Sequence, residues 1–218
     1  MRLVFGCGSA RCGTKSLAAL FAGQSCVGVT HERVILPWDY SRSALHAAVS
    51  IACRDPSRTY LQQARQFEAV PDAELAGDIA PWYLAYADAL IDEFGAQMVC
   101  LRRDKEETVK SFLRQRFDHC SREPAKGERP GDELYVSLPK FDGDRRTSAS
   151  LYWDYYYGLA EQCVARWPTH FRIFPIQDLN SDEGQEAILR FAGYEGEVQH
   201  VHVDPRYAKT PCRMFLNG

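Results

Sequence analysis

In LVFGCGSARCGTKSL, residues 3–17, glycines are interleaved with cations and hydroxyl groups, the residue types that bind anions. Gly6, Gly8 and Gly13 permit tight turns and close approach of main-chain amides, while Arg11, Thr14, Lys15 and Ser16 supply side-chain donors. A helical pattern carrying Leu17, Leu20 and Phe21 follows at once and adds the positive end of its dipole. The combination predicts a cradle for a phosphate or a phosphate-like group. A glycine-rich turn with no ligand is the competing reading, and spacing has to decide. In a Walker A loop, G-x-x-x-x-G-K-[ST], lysine directly follows the second glycine. Gly8 and Gly13 keep that separation, but Thr14 takes the lysine position and Lys15 comes one residue late. A nucleoside triphosphate site with Mg²⁺ is therefore a poor match, and no acidic strand end is evident beside the loop.

A second group lies in VCLRRDKEETVKSFLRQ, residues 99–115. Arg103 leaves an apolar strand, and Ser111 stands eight positions later, about two turns into the expected helix. Alone this pair is unspecific, and the run KEE also reads as a solvated helical face. His31 and Glu32, at the exit of a short strand CVGVT (26–30), are candidate proton acceptors. Their competing reading is an ion pair of Glu32 with a nearby arginine and simple packing of His31. Cys12, at a helix N-terminus beside Arg11 and Lys15, is expected to have a lowered thiol pKa and to be reactive.

The elements that must position these groups alternate along the chain. Strands are predicted over the first apolar run, 26–30, 97–101 and 171–176. Helices are predicted over 41–53, 58–70, 81–94, about 105–117, 148–167 and from Asp182 to about Ala192. Pro81 suits a first helical turn, Asp104 a cap, and Gly95 and Gly193 helix stops. Such alternation implies an α/β fold, a mainly parallel sheet between helical layers, with ligands at the carboxyl ends of the strands. The first loop, His31, Glu32 and Arg103 then share one edge. The Gly-, Pro- and charge-rich stretch 120–147 reads as a lid or as a solvated insertion. Tyr152, Trp153, Tyr155, Tyr156 and Tyr157 read mainly as a helix face meeting the core, with an aromatic ligand pocket as the alternative. His200 and His202 lack an evident third metal ligand.

Taken in order, the two anion-binding segments resemble those of sulfotransferases that use 3′-phosphoadenosine 5′-phosphosulfate (PAPS). Arg11-Cys12-Gly13-Thr14-Lys15 resembles their 5′-phosphosulfate loop, with Cys12 in place of the usual serine and Lys15 in place of a hydroxyl residue. Arg103 and Ser111 match the arginine and serine that grip the 3′-phosphate, with Lys105 where a proline is frequent. The resemblance extends through GDIAPWYLAYADALIDEFGAQMVCLRRD and FPIQDLNSDEGQEAILRFAGYEG, leaving 33–77 and 120–147 unaligned. It implies a three-layer P-loop-like fold and a single domain spanning 1–218. It also implies in-line transfer of a sulfuryl group to a hydroxyl or amine, with adenosine 3′,5′-bisphosphate released and no metal. The nucleotide would be held by Arg11, Cys12, Gly13, Thr14, Lys15, Ser16, Arg103 and Ser111. Lys209 and Arg213 either close over its phosphates or form an exposed tail. Glu32 or His31 would be the base, with Lys15 stabilising the leaving phosphate. Many relatives carry a lysine near Asp78 or Ile79, which this chain lacks. A P-loop nucleotide kinase and a non-catalytic nucleotide-binding protein are the alternatives.

Composition fits this picture. The 218 residues suffice for one substantial domain, and 45% hydrophobic with 25% charged residues is ordinary for a globular protein. A net charge of −3 argues against general nucleic-acid binding and favours a small anionic ligand at a local basic site. No apolar stretch approaches the roughly 20 residues of a membrane span, and no secretory signal is evident, so a cytoplasmic address is expected. Eight dispersed cysteines without a C-x-x-C pair read as small packing residues. Sugar, lipid, phenol, peptide and small alcohol all remain open as acceptors, with a small molecule or a carbohydrate as the expected partner.

Overall fold

The computed structural model describes residues 2–31, 73–114 and 141–201. The helices expected over 41–53 and 58–70, nearly all of the 120–147 stretch, Glu32, His202, Lys209 and Arg213 lie outside these residues. Among the described residues, five parallel strands form one sheet in the order β2-β3-β1-β4-β5. They are β1 (Arg2–Gly8), β2 (Val27–His31), β3 (Leu75–Ile79), β4 (Gln97–Arg102) and β5 (Phe171–Pro175). Among the described residues, five α-helices accompany them: α1 (Thr14–Ala22), α2 (Ala87–Phe94), α3 (Lys105–Leu113), α4 (Arg145–Arg166) and α5 (Asp182–Phe191).

Period-two alternation explains why both faces of this sheet are covered. Phe5, Cys7, Met98, Cys100 and Phe171 point to one side and pack with residues of α2, α3 and α4. Val4, Val99, Leu101 and Phe174 point to the other, where α1 and α5 cover them. Each large apolar side chain so buried contributes about 1.5–3 kcal/mol. Among the described residues, no helix is long and apolar enough to cross a membrane.

β3 is not predicted from the sequence, because LAGDI is short and contains a glycine and an acid. Its place beside β1 supplies the reasons for both. A Cβ on Gly77 would fall onto the Val4 carbonyl oxygen. Asp78, fully buried, is paired in register with Phe5 and accepts a 2.6 Å hydrogen bond from the Tyr83 hydroxyl. An acidic residue therefore does stand near the end of a strand next to β1, contrary to the expectation. It lies on the Phe5 and Tyr83 side, three register positions below Gly8.

Two boundaries differ from expectation for local reasons. The segment from Pro81 opens as a 3₁₀ turn, Pro81–Tyr86, with no side chain capping it, and becomes α-helical only at Ala87. α4 starts at Arg145 because Asp144 caps it, accepting a 2.7 Å bond from the Thr147 amide. That bond, with the Thr147 side chain, holds the Asp144 carboxyl below its ordinary pKa. The stretch 198–201 has no regular structure. Gln24 bonds both the amide and the carbonyl of Gln199, and Gln185 does the same for Val201.

Gly77→Ala tests the close approach of β3 to β1. It is expected to destabilise the protein by about 3 kcal/mol or more, read as a loss in denaturant midpoint. A cost within about 0.5 kcal/mol would contradict the packing described.

Candidate functional site

The site follows from strand order. From β1 the chain crosses to β2 on one side, whereas from β4 it continues to β5 on the other, so a crevice opens between the carboxyl ends of β1 and β4. The loop after β1 and the exit of β4 face each other across it.

The loop from Ser9 to Gly13 is shaped by backbone conformations few residues tolerate. Gly8 has φ 148°, Gly13 has φ 97°, and Arg11 has φ 72° without being glycine. A left-handed arginine costs roughly 1–2 kcal/mol, a strain typical of ligand-binding loops. The Cys12 amide bonds the Ser9 carbonyl at 3.1 Å, and the Ser16 and Leu17 amides bond the Gly13 carbonyl at 2.9 and 3.0 Å. Gly13 caps α1 with no side-chain hydrogen bond, so Thr14 and Lys15 head the helix at its positive end. Lys15 is exposed and makes no ion pair among the described residues.

Arg11, Arg103 and Ser111 meet at the crevice. Arg11 Nε donates to Ser111 Oγ at 3.1 Å, and Arg103 Nη1 donates to the Arg11 carbonyl at 3.3 Å. Arg103 also pairs with Glu107, one turn along α3, through Nε at 3.0 Å. Asp104 caps α3 by accepting from the Glu107 amide at 3.0 Å, which fixes where the helix leaves the strand. The Trp153 indole donates to the Arg103 carbonyl at 3.0 Å. Arg11 thus contacts a hydroxyl 100 residues away through its side chain and the Arg103 guanidinium through its main chain.

His31 ends β2 next to the same loop. Its Nε2 lies 3.2 Å from Thr14 Oγ1. Burial, and secondarily the charge of Lys15, lowers its pKa from 6.5 to about 4, so the imidazole is neutral at pH 7. A neutral imidazole can accept a proton, and an anion bound nearby would raise its basicity. The sequence pair of candidate bases is thereby half located: His31 adjoins the loop, and Glu32 lies outside the described residues.

Cys12 corrects an expectation. It is fully buried under the loop, and desolvation, with the neighbouring Cys7, pushes its thiol up to about 12. A Cβ on Gly8 would strike the Cys12 sulfur, so this thiol fills the loop's interior and does not face a ligand. Burial outweighs the helix dipole and the flanking cations that pointed to a reactive thiolate.

The tyrosines of α4 were not expected to reach the loop. Tyr152, Tyr156 and Tyr157 are buried, as a core-facing stripe requires. The hydroxyls of Tyr156 and Tyr157 nevertheless bond the backbone of Gly8 and Ser9. No local signal marks such contacts, which span 148 residues. His200 pairs loosely with Asp182 at 3.5 Å, and no three metal-ligating side chains gather among the described residues. In comparisons with known proteins, no family model and no curated protein matches the chain.

Two measurements check this geometry. The folded protein binds fewer protons at His31 than the unfolded chain between pH 6.5 and about 4. The stability from a neutral His31 is complete above pH 6.5 and is lost as pH falls toward 4. His31→Asn should flatten the fall in stability across that interval, and an unchanged slope would contradict the burial of the imidazole. In iodoacetamide mapping at pH 8, native Cys12 should stay unmodified while exposed Cys26 reacts. Rapid native labelling of Cys12 would contradict its placement.

Proposed function

We propose that the protein is a PAPS-dependent sulfotransferase with a P-loop-like sulfotransferase fold. The observation that carries this reading is the convergence of Arg11, Arg103 and Ser111 beside the helix-capped loop. A nucleotide with phosphates at both its 5′ and 3′ positions needs two anion grips at a fixed separation. The loop with Lys15 supplies one, and Arg103 with Ser111 supplies the other.

In this reading the loop amides and Lys15 hold the 5′-phosphosulfate, and Arg11 spans the two grips. An acceptor oxygen or nitrogen attacks sulfur in line, the bond from sulfur to the bridging phosphate oxygen breaks, and adenosine 3′,5′-bisphosphate leaves. The acceptor's proton passes to His31 or Glu32. Lys15, Arg11 and the helix dipole offset the charge that grows on the departing phosphate. The acceptor is a small molecule or a carbohydrate.

A Mg²⁺-dependent nucleotide kinase has less support. Thr14 stands where that chemistry needs lysine, and the Asp78 carboxylate is engaged by Tyr83 on the α2 and α4 side of the sheet.

Calorimetry with adenosine 3′,5′-bisphosphate tests the proposal, with binding expected in the micromolar range. Absence of binding up to low millimolar concentration would sink it. Arg103→Ala should weaken the bisphosphate about tenfold or more while leaving 5′-AMP nearly unchanged. Equal losses for both nucleotides would remove Arg103 from the 3′-phosphate role.

A further inference from the structure

We propose that Tyr157, assisted by Tyr156, is a positioning residue that sets the shape of the anion loop through its hydroxyl. The inference rests on the nucleotide reading above and adds to it a residue outside both anion-binding motifs.

The Tyr157 hydroxyl lies 2.7 Å from the Leu101 carbonyl, 3.4 Å from the Ser9 amide and 3.2 Å from Ser9 Oγ. A phenol has a single proton, and a carbonyl can only accept, so that proton goes to Leu101. The hydroxyl's lone pairs must then accept from the Ser9 amide and from the Ser9 hydroxyl. Ser9 is fully buried, so no solvent replaces these partners. Burial raises the Tyr157 pKa well above its ordinary value and keeps the donor protonated.

Tyr156 repeats the device one residue earlier. Its hydroxyl donates to the Pro81 carbonyl at 2.7 Å and accepts from the Gly8 amide at 2.9 Å. Two adjacent hydroxyls on α4 therefore join the exits of β3, β1 and β4. Trp153, one helical turn before Tyr157, secures the Arg103 carbonyl in the same way. Gly8 and Ser9 are the residues from which the loop departs, so their orientation determines where the amides of Gly13, Thr14 and Lys15 point. Phenylalanine at 157 would keep the ring contact with Trp153, at 4.6 Å, and lose only the hydrogen bonds.

The test compares two ligands on the full chain. Tyr157→Phe should weaken adenosine 3′,5′-bisphosphate about tenfold and leave 3′-AMP, which needs only Arg103 and Ser111, within about twofold of the wild type. A merely structural role would lower both affinities together, and that outcome, or no loss at all, overturns the proposal. Should Tyr157→Phe fail to fold, Ser9→Ala removes one of the same contacts and should show the same selectivity, at least about threefold for the bisphosphate alone. Equal or absent losses there overturn it as well. A wild type that binds neither nucleotide overturns the nucleotide reading and this role with it. Wild-type binding with unselective loss overturns only the role of Tyr157.

Discussion

β1 is held between two parallel neighbours, and the functional geometry depends on that position. Gly77 lets β3 approach the Val4 carbonyl, while β4 pairs with the other edge through the register Cys7 to Cys100. Because the chain turns to opposite sides after β1 and β4, the two loops at their ends border one crevice. The sheet, built from alternating apolar side chains, thereby delivers polar residues distant in sequence to one place. α4 adds the second constraint: its tyrosine hydroxyls bond buried backbone groups at the exits of β1, β3 and β4.

Electrostatics at the crevice follows from this framework. Arg11, Lys15 and Arg103 cluster near a helix N-terminus in a chain whose overall charge is −3, so the attraction for anions is local. Glu107 is the one carboxylate paired with Arg103 among the described residues, and its exposed ion pair is worth little. Under the proposed function, an incoming phosphate would replace it at small cost. His31 completes the arrangement because its desolvated imidazole stays neutral beside Lys15 and can accept a proton where a strongly basic group would already be charged.

The sequence revealed those parts of this arrangement whose physics is local. β1 and β4 are apolar runs, Asp104 and Gly95 mark helix ends, and Arg103 directly follows β4 while Ser111 lies in α3. β3 was hidden because its glycine and aspartate are explained only by Val4 and Tyr83, partners in other elements. The contacts of Tyr156 and Tyr157 were hidden for the same reason, as their partners lie far along the chain. Cys12 was misread because its helix-terminal position is visible in sequence whereas its burial is not.

The most direct test of the account is a crystal structure with adenosine 3′,5′-bisphosphate bound. The account predicts the 5′-phosphate on the amides of Gly13 to Lys15, the 3′-phosphate between Arg103 and Ser111, and His31 facing the side where an acceptor would enter. A nucleotide bound elsewhere, or in the crevice with its two phosphates exchanged, would contradict it.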